Sequence, residues 1–342
     1  MSTISDVAER AGVSKTTVSR FLNGQYDQMA ESTRERIMAA VQELGYRPNL
    51  IAASLKTKRT YTLGAVVSNI VNPFFARVVQ TIEDTAARAG YNLILSSTGD
   101  DPEKEARYIN VLRDRQVDGL VVATSGTEID VYETLYDQRF PVVLIDRRIP
   151  DVPYDFVALD NAEGVRQAVQ YLHQLGHRRI ALATGRPIEL TSRRERADAF
   201  ERHVKEFGME WDPSLVIVES PTEAGGRQAA AQLVDLDPRP TALISSINVM
   251  TLGAIKALRD RGVDVPGEMS VVGFDDVEWM GATSPPITAV SQPVQELGAQ
   301  AVSRLIWMIE EGETPRGHGI RLTPELIVRA SCDRPRKMRG GS

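Results

Sequence analysis

Over the first fifty or so positions, apolar residues recur at helical spacing in three short blocks. Val7, Ala8 and Ala11 share one face of the first, and Val18 shares a face of the second with Phe21 or Leu22. Ile37, Val41 and Leu44 share a face of the third. Punctuation between the blocks agrees with three helices. Thr3 can cap the first, with Asp6 three residues on at its positive end. Gly12 supplies a tight turn, and Ser14 caps a second helix running to about Leu22. Ser32 with Glu35 reads as a capping box for the third, which Gly45 ends.

From residue 62 the period changes. Short apolar, β-rich runs appear as TLGAVVS (62–68), YNLILSST (91–98), GLVVAT (119–124) and PVVLID (141–146), with helical stretches such as 74–89 and 103–115 between them. A second set comes later in the chain: RIALAT (179–184), LVIVES (215–220), TALISS (241–246) and SVVGFD (270–275). Alternating strands and helices imply parallel sheets covered on both faces, and two such sets imply two lobes with a cleft between them. A late strand, AVSQP (289–293), and the helix Val294–Glu311 are expected to cross back, so the lobes are not strictly sequential. The predicted fold is a small all-α helix-turn-helix head on a two-lobed α/β core with parallel sheets. Its expected divisions are a head at 1–47, a linker at 48–60, a body at 61–332 and a disordered basic tail at 333–342.

Composition alters this picture in one respect. The chain has 342 residues, 42% of them hydrophobic, and a net charge of −6. Residues 1–60 nevertheless hold nine Lys/Arg against six Asp/Glu, a charge of +3, which leaves −9 for the remainder. A basic head on an acidic body is the asymmetry expected when only the head meets phosphate. No apolar run approaches a bilayer span and the N-terminus lacks a secretory pattern, so a cytoplasmic protein without membrane association is expected. The single cysteine, Cys332, excludes an internal disulfide and a Cys-rich zinc site.

With Val18 turned inward, the second helix presents Lys15, Thr16, Thr17, Ser19 and Arg20 outward. A helix in the major groove offers its N-terminal side chains to base edges and its hydroxyls to phosphates. Lys15, Thr16 and Arg20 are therefore the base-reading candidates, with Arg20 able to fork onto a guanine. Ser14, Thr17, Ser19 and Asn23 suit phosphate. On spacing alone, the same face also fits a solvated helical bundle.

The run ISDVAERAGVSKTTVSRFLNG, continued by STRERIMAAVQELGYRPNLIAASLKTKRT, resembles the DNA-binding head of the LacI/GalR family of bacterial transcription regulators, and the resemblance continues through both lobes. It implies double-stranded operator DNA as partner. Pro48 blocks helix continuation, and Asn49 can cap the segment after it. On its residues alone, 48–60 reads as a flexible linker. The resemblance instead implies a hinge helix that orders when two copies meet on DNA. Leu55 would wedge between base pairs in the minor groove, and small Ala52 and Ala53 would let paired hinges approach.

Ligands of such sheets bind at the carboxyl ends of strands. The body resembles periplasmic sugar-binding proteins, and by resemblance Phe74 and Phe75 stack on a ligand ring. Arg196 would grip polar effector atoms, and Asp275 would accept effector hydroxyls. Asp146, Arg147, Ser192 and Asn248 complete the candidates, each open to the alternative of a structural ion pair or packing role. The sequence departs from the family at Ile247-Asn248, where many relatives carry Asn-Asp, and an aromatic often found near Pro221 is absent. Trp279 could replace that stacking surface. Arg147, Arg148, Arg193 and Arg194 point to an anionic ligand such as a sugar acid, or are solvated.

No Walker loop, G-x-G-x-x-G or G-x-S-x-G occurs, and the four histidines (His173, His177, His203, His318) lack metal-ligand spacing. No catalytic set, cofactor or metal is expected, and His177 reads as structural. The expected function is a homodimeric transcriptional regulator, a repressor of carbohydrate catabolism genes, controlled by a sugar or sugar acid between the lobes. The alternatives are a non-sugar ligand, a protein co-regulator, or a sugar-binding protein without a DNA role.

Overall fold

A computed structural model describes residues 2–22, 24–27, 29–46, 59–126, 129–186 and 190–336. Its contacts divide the chain into a head, Met1–Thr60, and a body, Tyr61–Ser342. The sequence expectations for Asn23, Ala52, Ala53 and Leu55 lie outside the described residues.

The head holds α1 (Ile4–Ala11), α2 (Lys15–Leu22) and α3 (Glu31–Glu43) around buried Val7, Val18 and Ile37. Thr3 Oγ1 accepts the Asp6 amide at 3.3 Å while Asp6 Oδ2 accepts the Thr3 amide at 2.8 Å. This reciprocal box satisfies two donors that the first turn would otherwise leave bare. Gly12 turns the chain at φ 65°, a left-handed conformation that costs a glycine little. Ser14 Oγ then accepts the Thr17 amide at 3.1 Å and opens α2. The capping box expected at Ser32 and Glu35 does not form. Ala30 O already accepts the amides of Thr33 and Arg34, so the backbone starts α3 at Glu31 and both residues fall inside the helix.

The body has two six-stranded sheets. The first runs β1 (Thr62–Val67), α4 (Pro73–Arg88), β2 (Asn92–Ser97), α5 (Pro102–Asp114), β3 (Gly119–Val122), α6 (Ile129–Asp137), β4 (Val142–Ile145) and β5 (Asp155–Leu159). The second runs α7 (Asn161–Leu175), β6 (Ile180–Thr184), α8 (Thr191–Glu206), β7 (Val216–Val218), α9 (Glu223–Val234), β8 (Ala242–Ser245), α10 (Asn248–Asp260), β9 (Ser270–Phe274), α11 (Glu278–Ala282) and β10 (Thr288–Ser291). Helix α12 (Val294–Glu311) returns to the first lobe, where β11 (Gly319–Leu322) joins its sheet, and β12 (Glu325–Ile327) ends the chain's path in the second.

Strand orders are β11-β5-β4-β3-β1-β2 and β12-β10-β9-β8-β6-β7, so the lobes repeat one topology. All pairings are parallel except β12 against β10, an antiparallel edge in sheets expected to be wholly parallel. The crossing back of α12 matches expectation. Its Leu297, Ala301, Val302, Leu305 and Met308 fill the lobe 1 core against Val78 and Ile82 of α4. Strands β5, β11 and β12 escaped the sequence reading because they are short and carry charged residues among their few apolar ones.

His177 is buried where β6 begins. Its Nε2 donates to Asp333 O at 2.9 Å, and its Nδ1 lies 2.8 Å from Thr241 Oγ1. Arg336 pairs with Asp264 at 3.2 Å. The body's contacts therefore run through Arg336, into the stretch expected to be a loose tail.

Candidate functional site

The head's polar face is carried by α2. Lys15, Thr16 and Arg20 are exposed, as is Ser14, while Thr17 and Ser19 are half-buried. Buried Val18 fixes the rotation of the helix that turns them outward. Ser14 Oγ and Thr17 Oγ1 lie 2.8 Å apart, and with Arg20, Gln25 and Thr33 they line a shallow depression. The hydroxyls of Ser14, Thr16 and Thr17 sit with Lys15 at the helix N-terminus, where amide dipoles favour anions, while Arg20 lies in the last turn.

In the body, the strand ends of both lobes face a cavity of ≈ 420 Å³. Every body residue proposed from sequence as an effector contact lines it: Phe74, Phe75, Asp146, Arg147, Ser192, Arg196, Asn248, Asp275 and Trp279. Phe74 and Phe75 also belong to the lobe 1 core and meet each other edge-on at 5.0 Å. Arg193 lines the cavity, but Arg148 and Arg194, two of the four arginines expected to charge it, do not. Arg148 turns instead to Glu195 at 3.1 Å, a pair that ties the lobes together, and Arg194 is exposed.

Most cavity charges are already partnered. Arg147 Nε donates to Asp146 Oδ2 at 3.2 Å, and its Nη1 donates to Asp100 Oδ1 at 2.6 Å and to Thr124 O at 3.0 Å. Burial raises the Asp146 pKa above the ordinary carboxylate value, against the lowering pull of Arg147 and Arg196. Asp275 has neutral partners. Its Oδ2 accepts Asn248 Nδ2 and its Oδ1 accepts Gln292 Nε2, each at 2.6 Å. Arg196 donates from Nε to Asn161 Oδ1 at 2.8 Å and from Nη1 to Ser246 O at 2.5 Å, over the Phe274 ring. Among the described residues, neither Asp275 nor Arg196 has an ion-pair partner. Gln292 Oε1 is buried and has no hydrogen-bond partner, so this polar atom at the cavity wall is left to be satisfied by a ligand or water.

Sequence reasoning missed Asp100 and Gln292. Both follow strand ends, so the rule that found Asp146 and Asp275 would have reached them too. Asn72 caps α4 through the Phe74 amide and also accepts Asn248 Nδ2 at 2.9 Å across the cleft. Glu105 is missed for another reason, because it stands behind the wall. Its Oε1 accepts Thr124 and Tyr132 hydroxyls at 2.8 and 2.5 Å, and Oε2 accepts the Ser125 amide at 2.6 Å. Burial raises its pKa despite those bonds.

A helix-turn-helix head carried on a two-lobed α/β body defines a DNA-binding transcriptional regulator. Residues 3–49 match the family described as bacterial regulatory proteins, lacI family, and residues 169–332 match the periplasmic binding protein-like domain. The transcriptional regulator DegA of Bacillus subtilis is 35% identical over 332 residues, 96% of this chain and 97% of its own. The transcriptional repressor PurR of Haemophilus influenzae is 35% identical over 335 residues, 97% of this chain and 98% of its own. Among solved structures, the lac repressor dimer bound to operator aligns with a TM-score of 0.83 at 28% identity, over 96% of this chain and 98% of that one. The complex of the regulator CelR with cellobiose aligns at 0.72 and 31%, over 97% and 100%. The chain belongs to the lacI family of bacterial regulatory proteins.

Proposed function

We propose that the protein is a homodimeric repressor whose grip on operator DNA is set by a sugar or sugar-acid effector held between the lobes. The observation that carries this reading is the cavity itself. Arg196 and Asp275 carry opposite charges and neither makes a direct ion pair among the described residues, and the cavity wall includes Phe74, Phe75 and Trp279. Hydroxyl groups can accept from the one and donate to the other, while a ring face needs apolar contact. The likeness to a regulator in complex with cellobiose supports a carbohydrate.

In the head, Lys15, Thr16 and Arg20 read bases while Ser14, Thr17, Ser19 and Asn23 hold phosphates. Leu55, Ala52 and Ala53 act as the hinge wedge and its close-packed neighbours. Dimerisation is supported by the likeness to a lac repressor dimer on its operator. The β2 edge strand also exposes Ile94 and Leu95, and α5 exposes Val111, apolar surface that a second copy would cover. Effector binding shifts the balance between lobe arrangements by its differential affinity for them.

The test is a thermal-shift screen with sugars and sugar acids, repeated as DNA binding with a duplex selected from a random pool. A ligand that raises the melting temperature and changes DNA affinity supports the reading. A ligand that binds without changing DNA affinity removes the allosteric step.

A further inference from the structure

At one wall of the cavity, two arginines from opposite lobes converge on one carboxylate. Arg147 belongs to lobe 1 and its side chain is 7% exposed; Arg193 belongs to α8 of lobe 2 and its side chain is 10% exposed. Asp100 Oδ1 accepts Arg147 Nη1 at 2.6 Å, and Asp100 Oδ2 lies 3.6 Å from Arg193 Nη2. Arg147 is fixed within its own lobe by Asp146 and Thr124 O, and the Arg193 side chain lies across Gly185 of its own lobe, where a Cβ would come within 3.0 Å of it. Asp100 reaches them from the loop after β2 in a left-handed conformation, φ 60°, directly after Gly99 at φ 72°.

We propose that Asp100 is a built-in counter-anion, seated where a ligand's carboxylate or phosphate would otherwise go, and that it restricts the cavity to uncharged effectors. The inference rests on the reading of the cavity as an effector site and narrows the ligand class left open there. A carboxylate that came in beside Asp100 would join Asp100, Asp146, Glu223 and Asp275 in the cavity lining, with Arg147 already paired to Asp100 and Asp146 and Arg193 already facing Asp100. To use those arginines it must displace Asp100 and break a bridge between the lobes. A polyhydroxyl ligand faces neither cost, because Arg196 and Asp275 present opposite charges that a neutral molecule can satisfy together.

The test uses the full-length protein and two matched probes, D-sorbitol and sodium D-gluconate, which differ by a hydroxymethyl group against a carboxylate. Sodium chloride controls for ionic strength, and calorimetry with melting temperature gives the readout. Asp100→Asn is expected to bind gluconate at least tenfold more tightly than the unsubstituted protein, a gain that sorbitol does not share. Adding Arg193→Ala to that variant should remove the gain. Asp100→Ser serves as a second variant should the asparagine fail to fold. Unsubstituted protein that binds gluconate as tightly as the variant, or a variant that binds it no tighter, overturns the inference. DNA affinity measured alongside separates the two claims. A neutral ligand from the thermal-shift screen that binds without any change in DNA affinity sinks the effector reading, and a gluconate gain in Asp100→Asn then leaves the counter-anion standing.

Discussion

Lobes 1 and 2 set matching aspartates in one backbone frame and use them differently. Asp146 follows β4 at φ 62°, and Asp275 follows β9 at φ 81°. Their amides donate to the same place on the neighbouring strand, Val157 O at 3.0 Å and Val290 O at 2.8 Å. The difference lies in the next residue. In lobe 1 it is Arg147, which turns back onto Asp146 and neutralises it. In lobe 2 it is Asp276, which turns away to Arg329 at 2.5 Å and leaves Asp275 to neutral amides. A repeated scaffold thus fixes where a carboxylate points, and a single neighbour decides whether it is available to a ligand.

The largest way to break this correspondence is in the helix layer. In lobe 2, a Cβ at Gly253 of α10 would fall 2.0 Å from Glu223 O, and one at Gly226 of α9 would fall 2.1 Å from Met250 O. The matching lobe 1 helices, α5 and α6, contain no glycine. Gly253→Ala should therefore cost about 3 kcal/mol or more in denaturant unfolding, because backbone must move to admit the methyl. A loss under about 1 kcal/mol would mean the two helices separate easily.

Next comes the aspartate pair. Once an effector is found by screening, Asp275→Ala should lose about 2–3 kcal/mol of effector affinity, the worth of hydrogen bonds to a charged group. Asp146→Asn should lose less than about 1.4 kcal/mol, or tenfold, because Arg147 already occupies that carboxylate. Equal losses by calorimetry would abolish the distinction drawn between the lobes. Arg20→Ala touches neither lobe and serves as the control. It should cost about 1–3 kcal/mol of discrimination between the selected duplex and a scrambled one, with effector affinity unchanged.

The smallest effect is in pH. Burial pushes the Asp100 pKa up, but the charge and hydrogen bond of Arg147 and the charge of Arg193 together hold it below the ordinary value. A lowered carboxylate stabilises the fold above its unfolded pKa, and that contribution is lost as pH falls through the folded value. The melting-temperature gap between the protein and Asp100→Asn should stay constant from about pH 8 to 5 and shrink below about pH 4. Asp146 is raised instead, so its protonated form favours the fold. Relative to Asp146→Asn, the protein should gain stability as pH falls. Matching slopes from the two variants would contradict the charge assignment at the cavity wall.

Much of the fold was legible because its signals are local. TLGAVVS, GLVVAT and SVVGFD are apolar runs of strand length, and Val294–Glu311 holds its apolar face over eighteen residues, with bounds the structure reproduces. Charged short strands such as Asp155–Leu159 gave no such signal, since Asp155 is buried by partners distant in sequence, Arg304 among them at 2.6 Å. The cavity divides in the same way. Asp146, Arg196 and Asp275 could be placed from strand ends and resemblance. The meeting of Asp100 with Arg193 depends on how two lobes come together, and no local pattern encodes that. Nor did the pattern separate Arg147 from Arg148, adjacent residues that turn to different partners.

The return of α12 to lobe 1 also bears on how the chain is made. Lobe 1 begins at Thr62, yet the helix that covers one face of its sheet starts at Val294, and β11 pairs with β5 only when Gly319–Leu322 is available. As the chain leaves the ribosome, lobe 1 must wait half-built while all five sequential strands of lobe 2 emerge. During that interval Val121, Val143 and Ile145 lack the Leu305 and Met308 side chains they will share a core with. Nascent chains stalled between about residues 240 and 300 should be the most prone to capture by chaperones or to aggregation.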